Sequence, residues 1–374
     1  MEKQIRLTYI TTAAFPAPKA SSVQVMQMCA AFAAAGALVK LVARRSTDTT
    51  TDIFSYYGLP PTFEFEVRAL SRWPRSHDVL QAQTVFAEPG ADWICYSRIR
   101  DLTAPTLALM RGAKAAVEVH GPPLTMRERV LLKWIARHPR GRLIAISEPL
   151  REFYRRELGL QTFVAPDAVD VSRFEPQLLT NEARAQLGLG EGPWVVYVGG
   201  LYEGRGLDQL FHAVSALPAQ TLIVGGRSQE EVEIWRERAR SAGATRVRFE
   251  GYQTPARVPL YLFAADVLVM PYGKRVLSAT GEDITHWTSP LKLFEYLAAG
   301  RPIVATDLPA LRPTLVPDHN ALVVAAEDVA GLRAALDRVL NDGVLAMRLA
   351  TNARQTAGGH TWIERAKRIL EFVS

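Results

Sequence analysis

A chain of 374 residues is long enough for two domains, each with a full core of its own. At 48% hydrophobic and 22% charged it has the make-up of an ordinary globular protein. No apolar run approaches the roughly 20 residues that span a bilayer, and the net charge of +6 comes without a nucleic-acid-binding module, so fibrous, disordered, transmembrane and nucleic-acid-binding classes are set aside.

In chain order, short apolar runs alternate with helical patterns, the signature of α/β units with parallel sheets. The first half offers strands at Ile5–Ile10, Leu38–Ala43, Phe63–Val67, Trp93–Tyr96, Ala115–Val119 and Leu143–Ile146, with helices such as Val23–Ala35 and Leu150–Leu158 between them. A second series runs through Trp194–Val198, Thr221–Val224, Val247–Phe249, Asp266–Met270, Ile303–Ala305 and Ala321–Val324. This predicts two Rossmann-like domains, 1–166 and 167–359. The turn-rich Leu187-Gly-Leu-Gly-Glu-Gly-Pro193 lies just ahead of the second series, and the chain ends in an amphipathic helix over 360–374. The chain enters its first strand without a basic-plus-apolar leader, and Cys29 and Cys95 lie far apart in apolar contexts, which predicts a cytoplasmic protein with free thiols.

Charge is concentrated between Arg127 and Arg156, where nine Lys and Arg face three Glu and account for the whole excess. Val130, Leu131, Leu132, Trp134 and Ile135 are interleaved with it. Two readings fit: a solvated helix face, or peripheral contact through 127–156 with an anionic membrane or a lipid-diphosphate.

The segment Ser289-Pro-Leu-Lys-Leu-Phe-Glu-Tyr-Leu-Ala-Ala-Gly-Arg-Pro-Ile-Val-Ala-Thr306 reads as a helix start running into a buried strand. Ser289 suits the cap and Pro290 the first helical position. The N–H groups of Leu291 and Lys292 then open the positive end of the helix, a place for a diphosphate, and the Glu295 carboxylate can accept from two ribose hydroxyls. The plain alternative is a capped core helix with a solvated Glu. Val196-Tyr-Val-Gly-Gly-Leu-Tyr-Glu-Gly-Arg-Gly-Leu207 follows a strand and opens a helix, so Gly199, Gly200 and Arg205 are candidates to meet phosphate; an ordinary strand-to-helix turn fits equally well. His120 and Arg98 stand at strand ends, where open α/β sheets bind ligands. The alternatives are a His satisfied at a turn and an Arg that is a surface group. No Asp-x-Asp and no Cys/His cluster at metal-ligand spacing occurs in the sequence, so no metal and no cofactor is expected.

These segments resemble the family 4 glycosyltransferases, which have the GT-B fold, two Rossmann-like domains facing a cleft. The resemblance covers essentially the whole chain and is stronger after Pro166. It implies a retaining, metal-independent transfer from a nucleotide-diphosphate sugar, such as a UDP or GDP sugar, to a glycan, lipid-linked or small-molecule acceptor, as in polysaccharide biosynthesis. It further implies front-face attack by the acceptor hydroxyl, closure that excludes water, and a last helix that crosses back to the first domain. By that resemblance Glu295 binds ribose, His120 contacts the donor sugar, Arg205 and Lys292 serve the diphosphate, and Gly251 and Tyr252 frame the base. The chain departs from the family pattern at Trp287, where a Glu is usual, at Gly200, where an Arg is usual, and at Ala168, where the crossover segment usually has Gly. Glu282, Asp283 and His286 are candidates to replace the missing Glu; Lys292 either compensates for the missing Arg or points into solvent. Ser21 and Ser22, with Lys19 and Arg98, are possible acceptor or sugar contacts, unless Ser22 only caps the following helix. Two other functions fit less well. A sugar-nucleotide epimerase or hydrolase needs an acid–base carboxylate pair, and a two-lobed solute-binding protein normally carries a secretory leader.

Overall fold

The computed structural model describes residues 4–47, 51–70, 75–278 and 281–374. It falls into two units, Met1–Asp167 with Trp362–Ser374, and Ala168–Thr361.

The first unit is built on strands β1 (Arg6–Phe15), β2 (Leu38–Arg45), β3 (Glu64–Val67), β4 (Ile94–Arg98), β5 (Lys114–Val119), β6 (Gly141–Ala145) and β7 (Phe163–Val164). They form a parallel sheet in the order β3-β2-β1-β4-β5-β6-β7. The second unit holds β8 (Trp194–Val198), β9 (Gln220–Val224), β10 (Val247–Gly251), β11 (Val267–Met270), β12 (Ile303–Thr306) and β13 (Leu322–Val324), parallel in the order β10-β9-β8-β11-β12-β13. The central strands read as unbroken apolar runs because helices cover both faces. β8 is buried at all five positions. Among the described strand residues of the first unit one buried side chain is charged: Glu118, in β5, is completely buried.

Both sheets reverse their winding once, between β1 and β4 and between β8 and β11. Such switch points open a crevice at the carboxyl ends of the strands, where α/β folds place ligands. Arg98 ends β4, His120 follows β5, and Gly199 follows β8.

Several expected elements shift. β1 continues five residues beyond its apolar run, with a change of register against β2 between Ile10 and Ala14. The hydroxyls of Thr11 and Thr12 donate to the buried carboxylate of Asp101 there, which keeps the chain extended by bonds a hydrophobic pattern does not reveal. β7 is a two-residue edge strand, too short to carry a pattern. The helix Ala20–Ala34 has Lys19 at its cap position, so Ser22 lies inside the helix, buried, and is not the cap. The last helix, Trp362–Val373, belongs to the first unit and packs on the helix Ala20–Ala34 and on β5. It is the basic residue Arg365, not only the apolar stripe, that this helix buries.

Candidate functional site

In the second unit the residues after β8 and β11 form one cluster. Gly204 (φ +79°) and Gly206 (φ +73°) have left-handed backbone that suits glycine. A Cβ on Gly204 would sit 2.0 Å from the carbonyl oxygen of Arg275, and one on Gly206 would sit 1.5 Å from that of Pro271. The N–H of Gly273 also donates to the carbonyl of Gly204 at 3.0 Å. These two glycines therefore admit a neighbouring protein loop, as an ordinary strand-to-helix turn does. Gly200 turns its carbonyl to the Tyr197 hydroxyl at 2.8 Å.

What the loops enclose is cationic. The helix Leu291–Ala299 begins one residue later than expected: Pro290 occupies the cap position in an extended conformation, with no side-chain cap. A residue before proline is biased to extended backbone, which keeps Ser289 outside the helix and removes it as the cap. Lys292, in the first turn, does not point into solvent. Its buried Nζ lies 4.1 Å from the ring centroid of Tyr197 and 4.7 Å from that of Tyr272. The guanidinium of Arg205 lies 5.0 Å from the same Tyr272 ring and donates to the Leu277 carbonyl at 3.1 Å. Among the described residues neither Lys292 Nζ nor Arg205 Nε has a hydrogen-bond partner. Burial, and then the charge of Arg205, push the Lys292 amine well below its ordinary range. A Cβ on Gly199 would come within 3.0 Å of Lys292 Nζ, so the absence of a side chain there leaves the amine its space.

Further along the same helix, Glu295 is largely buried and accepts no hydrogen bond among the described residues; its nearest cation is Arg173 Nη1, at 3.8 Å from Oε1. Burial lifts its carboxyl pKa and Arg173 opposes that rise. Tyr296, one residue on, fixes the helix to the end of β8: its hydroxyl accepts from the Val198 N–H at 2.8 Å and donates to the Val198 carbonyl at 3.2 Å. Gly251 ends β10 with φ +67° and takes the Gly225 N–H at 2.8 Å, and Tyr252 beside it is partly exposed. Of the candidates to replace the missing Glu, Asp283 is engaged: it accepts from the N–H and hydroxyl of Thr285 and pairs with Arg275 at 3.3 Å. His286 is exposed, with its ring 5.9 Å from that of Trp287, and Glu282 is half-buried.

In the first unit, the cluster centres on Glu118. Its Oε1 accepts from Gln24 Nε2 and from His120 Nε2, each at 2.6 Å. Its Oε2 accepts from the Tyr96 hydroxyl at 2.6 Å and from Arg365 Nη2 at 2.9 Å. Burial alone would raise the carboxyl pKa, but Arg365 and then the His120 hydrogen bond outweigh it and hold the group well below the carboxylate range. An ionised carboxylate only accepts, so the proton of His120 resides on Nε2 and its Nδ1 is left as an acceptor. Burial, and then the charge of Arg98, bring the imidazole down to about 4 despite the Glu118 bond. Arg98 donates to the Ser21 carbonyl at 3.4 Å; the Ser21 side chain is exposed.

The structure thus brings together Gly199, Arg205 and Lys292 in the second unit, with Glu295 one turn along the helix from Lys292. In the first it groups His120 with Arg98 and Ser21 near the ends of β4 and β5. Sequence reasoning missed Arg173, Glu118 and Arg365. For Arg173 no local signal exists; Glu118 stood two residues before His120 in a strand that should be wholly apolar, and a charge in such a strand is itself a signal. Among the described residues no group of three His, Cys, Asp or Glu side chains is placed to hold a metal ion.

Residues 192–342 match the family model described as Glycosyl transferases group 1. The chain is 29% identical over 223 residues to the D-inositol 3-phosphate glycosyltransferase of Corynebacterium urealyticum, covering 56% of this chain and 50% of that protein. It is 30% identical over 241 residues to the phosphatidyl-myo-inositol mannosyltransferase of Mycolicibacterium smegmatis, covering 62% and 57%. The matched region thus spans little more than half the length of these two relatives. In fold, sucrose-phosphate synthase from Thermosynechococcus elongatus superimposes over 99% of this chain and 98% of that one, with a TM-score of 0.77 at 21% identity.

Proposed function

We propose that this chain, a family 4 glycosyltransferase of the GT-B fold, moves a hexosyl group from a nucleotide-diphosphate sugar to a hydroxyl of a glycan, lipid-linked or small-molecule acceptor. The observation that carries the proposal is the pair Lys292 and Arg205, a buried amine and a buried guanidinium against the same Tyr272 ring, with no carboxylate paired to either among the described residues. A diphosphate supplies the missing charge. Glu295 lies along the same helix, where a carboxylate without a hydrogen bond suits a pair of ribose hydroxyls.

The chemistry follows from that placement. The acceptor oxygen bonds to the anomeric carbon as the bond from that carbon to the diphosphate breaks. The hydroxyl proton passes to the departing phosphate oxygen on the same face, so the configuration is retained. Lys292 and Arg205 stabilise the negative charge that develops on the leaving group, the role a divalent cation plays elsewhere, and this supports a metal-independent transfer. His120, neutral and with Nδ1 free to accept, orients a sugar hydroxyl.

The reading extends to an anionic membrane as the acceptor's setting. The segment 124–137 exposes Leu124, Met126, Val130 and Trp134 beside Arg127, Arg129 and Arg137. Among the described residues no helix is long and apolar enough to cross a membrane. A basic and apolar helix face of this kind suits peripheral contact at a cytoplasmic leaflet.

A thermal-shift panel of UDP, GDP, ADP and their sugar conjugates, with and without chelator, tests the donor site. One nucleotide is expected to raise the melting temperature, equally in the presence of chelator. Glu295→Ala is expected to weaken that nucleotide by 10- to 100-fold, roughly the worth of one or two charge-assisted hydrogen bonds. Stabilisation by none, or unchanged affinity in Glu295→Ala, would remove the assignment.

A further inference from the structure

We propose that Arg365 and Glu118 are positioning residues for His120: the last helix of the chain reaches into the first unit and fixes the tautomer of the imidazole. The proposal rests on the reading that His120 faces the donor sugar, and it concerns how that face is kept competent.

The geometry is specific. Each Glu118 oxygen receives two donors, and His120 is the only one of the four whose side chain is not fully buried, with 18% of its surface exposed. Arg365 is anchored independently of Glu118. Its Nε donates to the Pro166 carbonyl at 2.7 Å and its Nη2 to that of Ala165 at 3.0 Å, so the guanidinium cannot follow the carboxylate if the latter moves. A fixed cation holds Glu118 ionised, and an ionised Glu118 can only accept. His120 must therefore offer its Nε2 proton inward and turn the Nδ1 lone pair outward. Protonated Glu118 would instead be free to donate, which would release the ring to flip or exchange tautomer.

The charged and titratable groups around Glu118 and His120 come from several packed elements, with Cys29 of the helix Ala20–Ala34 behind Tyr9. Tyr9 lies on β1, Tyr96 and Arg98 on β4, Glu118 on β5, Asp167 at the end of the first unit's main segment and Arg365 on the last helix. Arg98 and Arg365 both disfavour a second proton on the imidazole, whereas Glu118 favours it. Removing Arg365 takes away one of the two opposing cations and leaves the carboxylate unneutralised. The imidazole then gains a proton at higher pH and its outward nitrogen becomes a donor.

The test is ¹⁵N NMR of the histidine rings in the full chain without ligand, with His120 assigned by the missing signals of His120→Gln. In the wild type we expect the Nε2–H tautomer at pH 7 and no protonation down to about pH 5. In Arg365→Met the His120 midpoint should move up by one unit or more, and Arg365→Lys should restore most of the shift. In turnover, kcat should fall at least tenfold and its acid limb should move with the NMR midpoint, while KM for the donor changes less than threefold. A wild-type ring in the Nδ1–H tautomer would overturn the proposal without reference to any variant, as would an unmoved midpoint in folded Arg365→Met. The NMR readout needs no substrate. A failed donor assignment would therefore leave it intact, and a failed positioning role would leave nucleotide binding intact.

Discussion

The two units handle buried charge in opposite ways. In the first, a single carboxylate meets four donors, and the group is complete without any ligand. In the second, the Lys292 amine and the Arg205 guanidinium lie against aromatic faces, and among the described residues Lys292 Nζ and Arg205 Nε have no acceptor. A charge buried with its partners holds a fold in one arrangement; a charge buried without them holds a place for something else. The first cluster is closed on itself, and the second is the one that the proposed function completes with a diphosphate.

The largest effect that would sharpen this contrast is on stability. Arg365→Met leaves Glu118 buried without its cation and should cost about 3–5 kcal/mol in chemical denaturation, as breaking one side of a buried pair does. Lys292→Met should behave in the opposite sense, leaving the ligand-free protein as stable or more so. Equal destabilisation by both would erase the distinction.

Next in size is binding. Lys292→Met should weaken the nucleoside diphosphate at least 100-fold, about 2.7 kcal/mol by calorimetry. The wild type should also take up protons on binding, because the amine is depressed when the site is empty and the diphosphate restores its charge. Titrations in buffers of different ionisation enthalpy measure that uptake. Affinity should fall as pH rises above the depressed value, and a binding enthalpy independent of buffer would contradict the unpaired amine.

The smallest effect is the pH dependence of the ligand-free fold. His120 is brought down to about 4 from an ordinary value of 6.5. Between those values it binds fewer protons folded than unfolded, so stability rises with pH across that window and is lost as pH falls through it. The change is at most about 3 kcal/mol. Glu118, depressed as well, adds a loss of the same sign below its unfolded value near 4.5. His120→Gln should flatten the upper part of the profile, seen in urea midpoints measured from pH 4 to 7.

The contrast also explains what was legible in the sequence. Both sheets were readable because central parallel strands are mostly apolar, and β8 is the clearest case. The helix Leu291–Ala299 was readable because Pro290, Glu295 and Gly300 punctuate it at fixed intervals. The direction of Lys292 was not, since it depends on rings contributed by Tyr197 and Tyr272 from other elements. Arg365 was hidden for a different reason. On an amphipathic helix an arginine reads as part of the wet face, and its partner Glu118 lies 247 residues away. Local patterns report which side of an element is apolar; they do not report that one charge on that side has been matched from across the chain. Gly204 and Gly206 illustrate a third limit. Their spacing signals close approach of a backbone, but whether the visitor is a ligand or another loop is decided only in three dimensions.

The unpartnered Lys292 amine beside Arg205 has a practical side. Inorganic phosphate and sulfate share the chemistry of the proposed diphosphate, and at buffer concentrations they would compete for the place beside Arg205 and Lys292. Either salt would lift the melting temperature of the protein and compete with the sugar nucleotide by mass action. Apparent donor constants would then rise in proportion to the salt chosen for purification, and acceptor preferences measured in different buffers would disagree for a reason that has nothing to do with the acceptor.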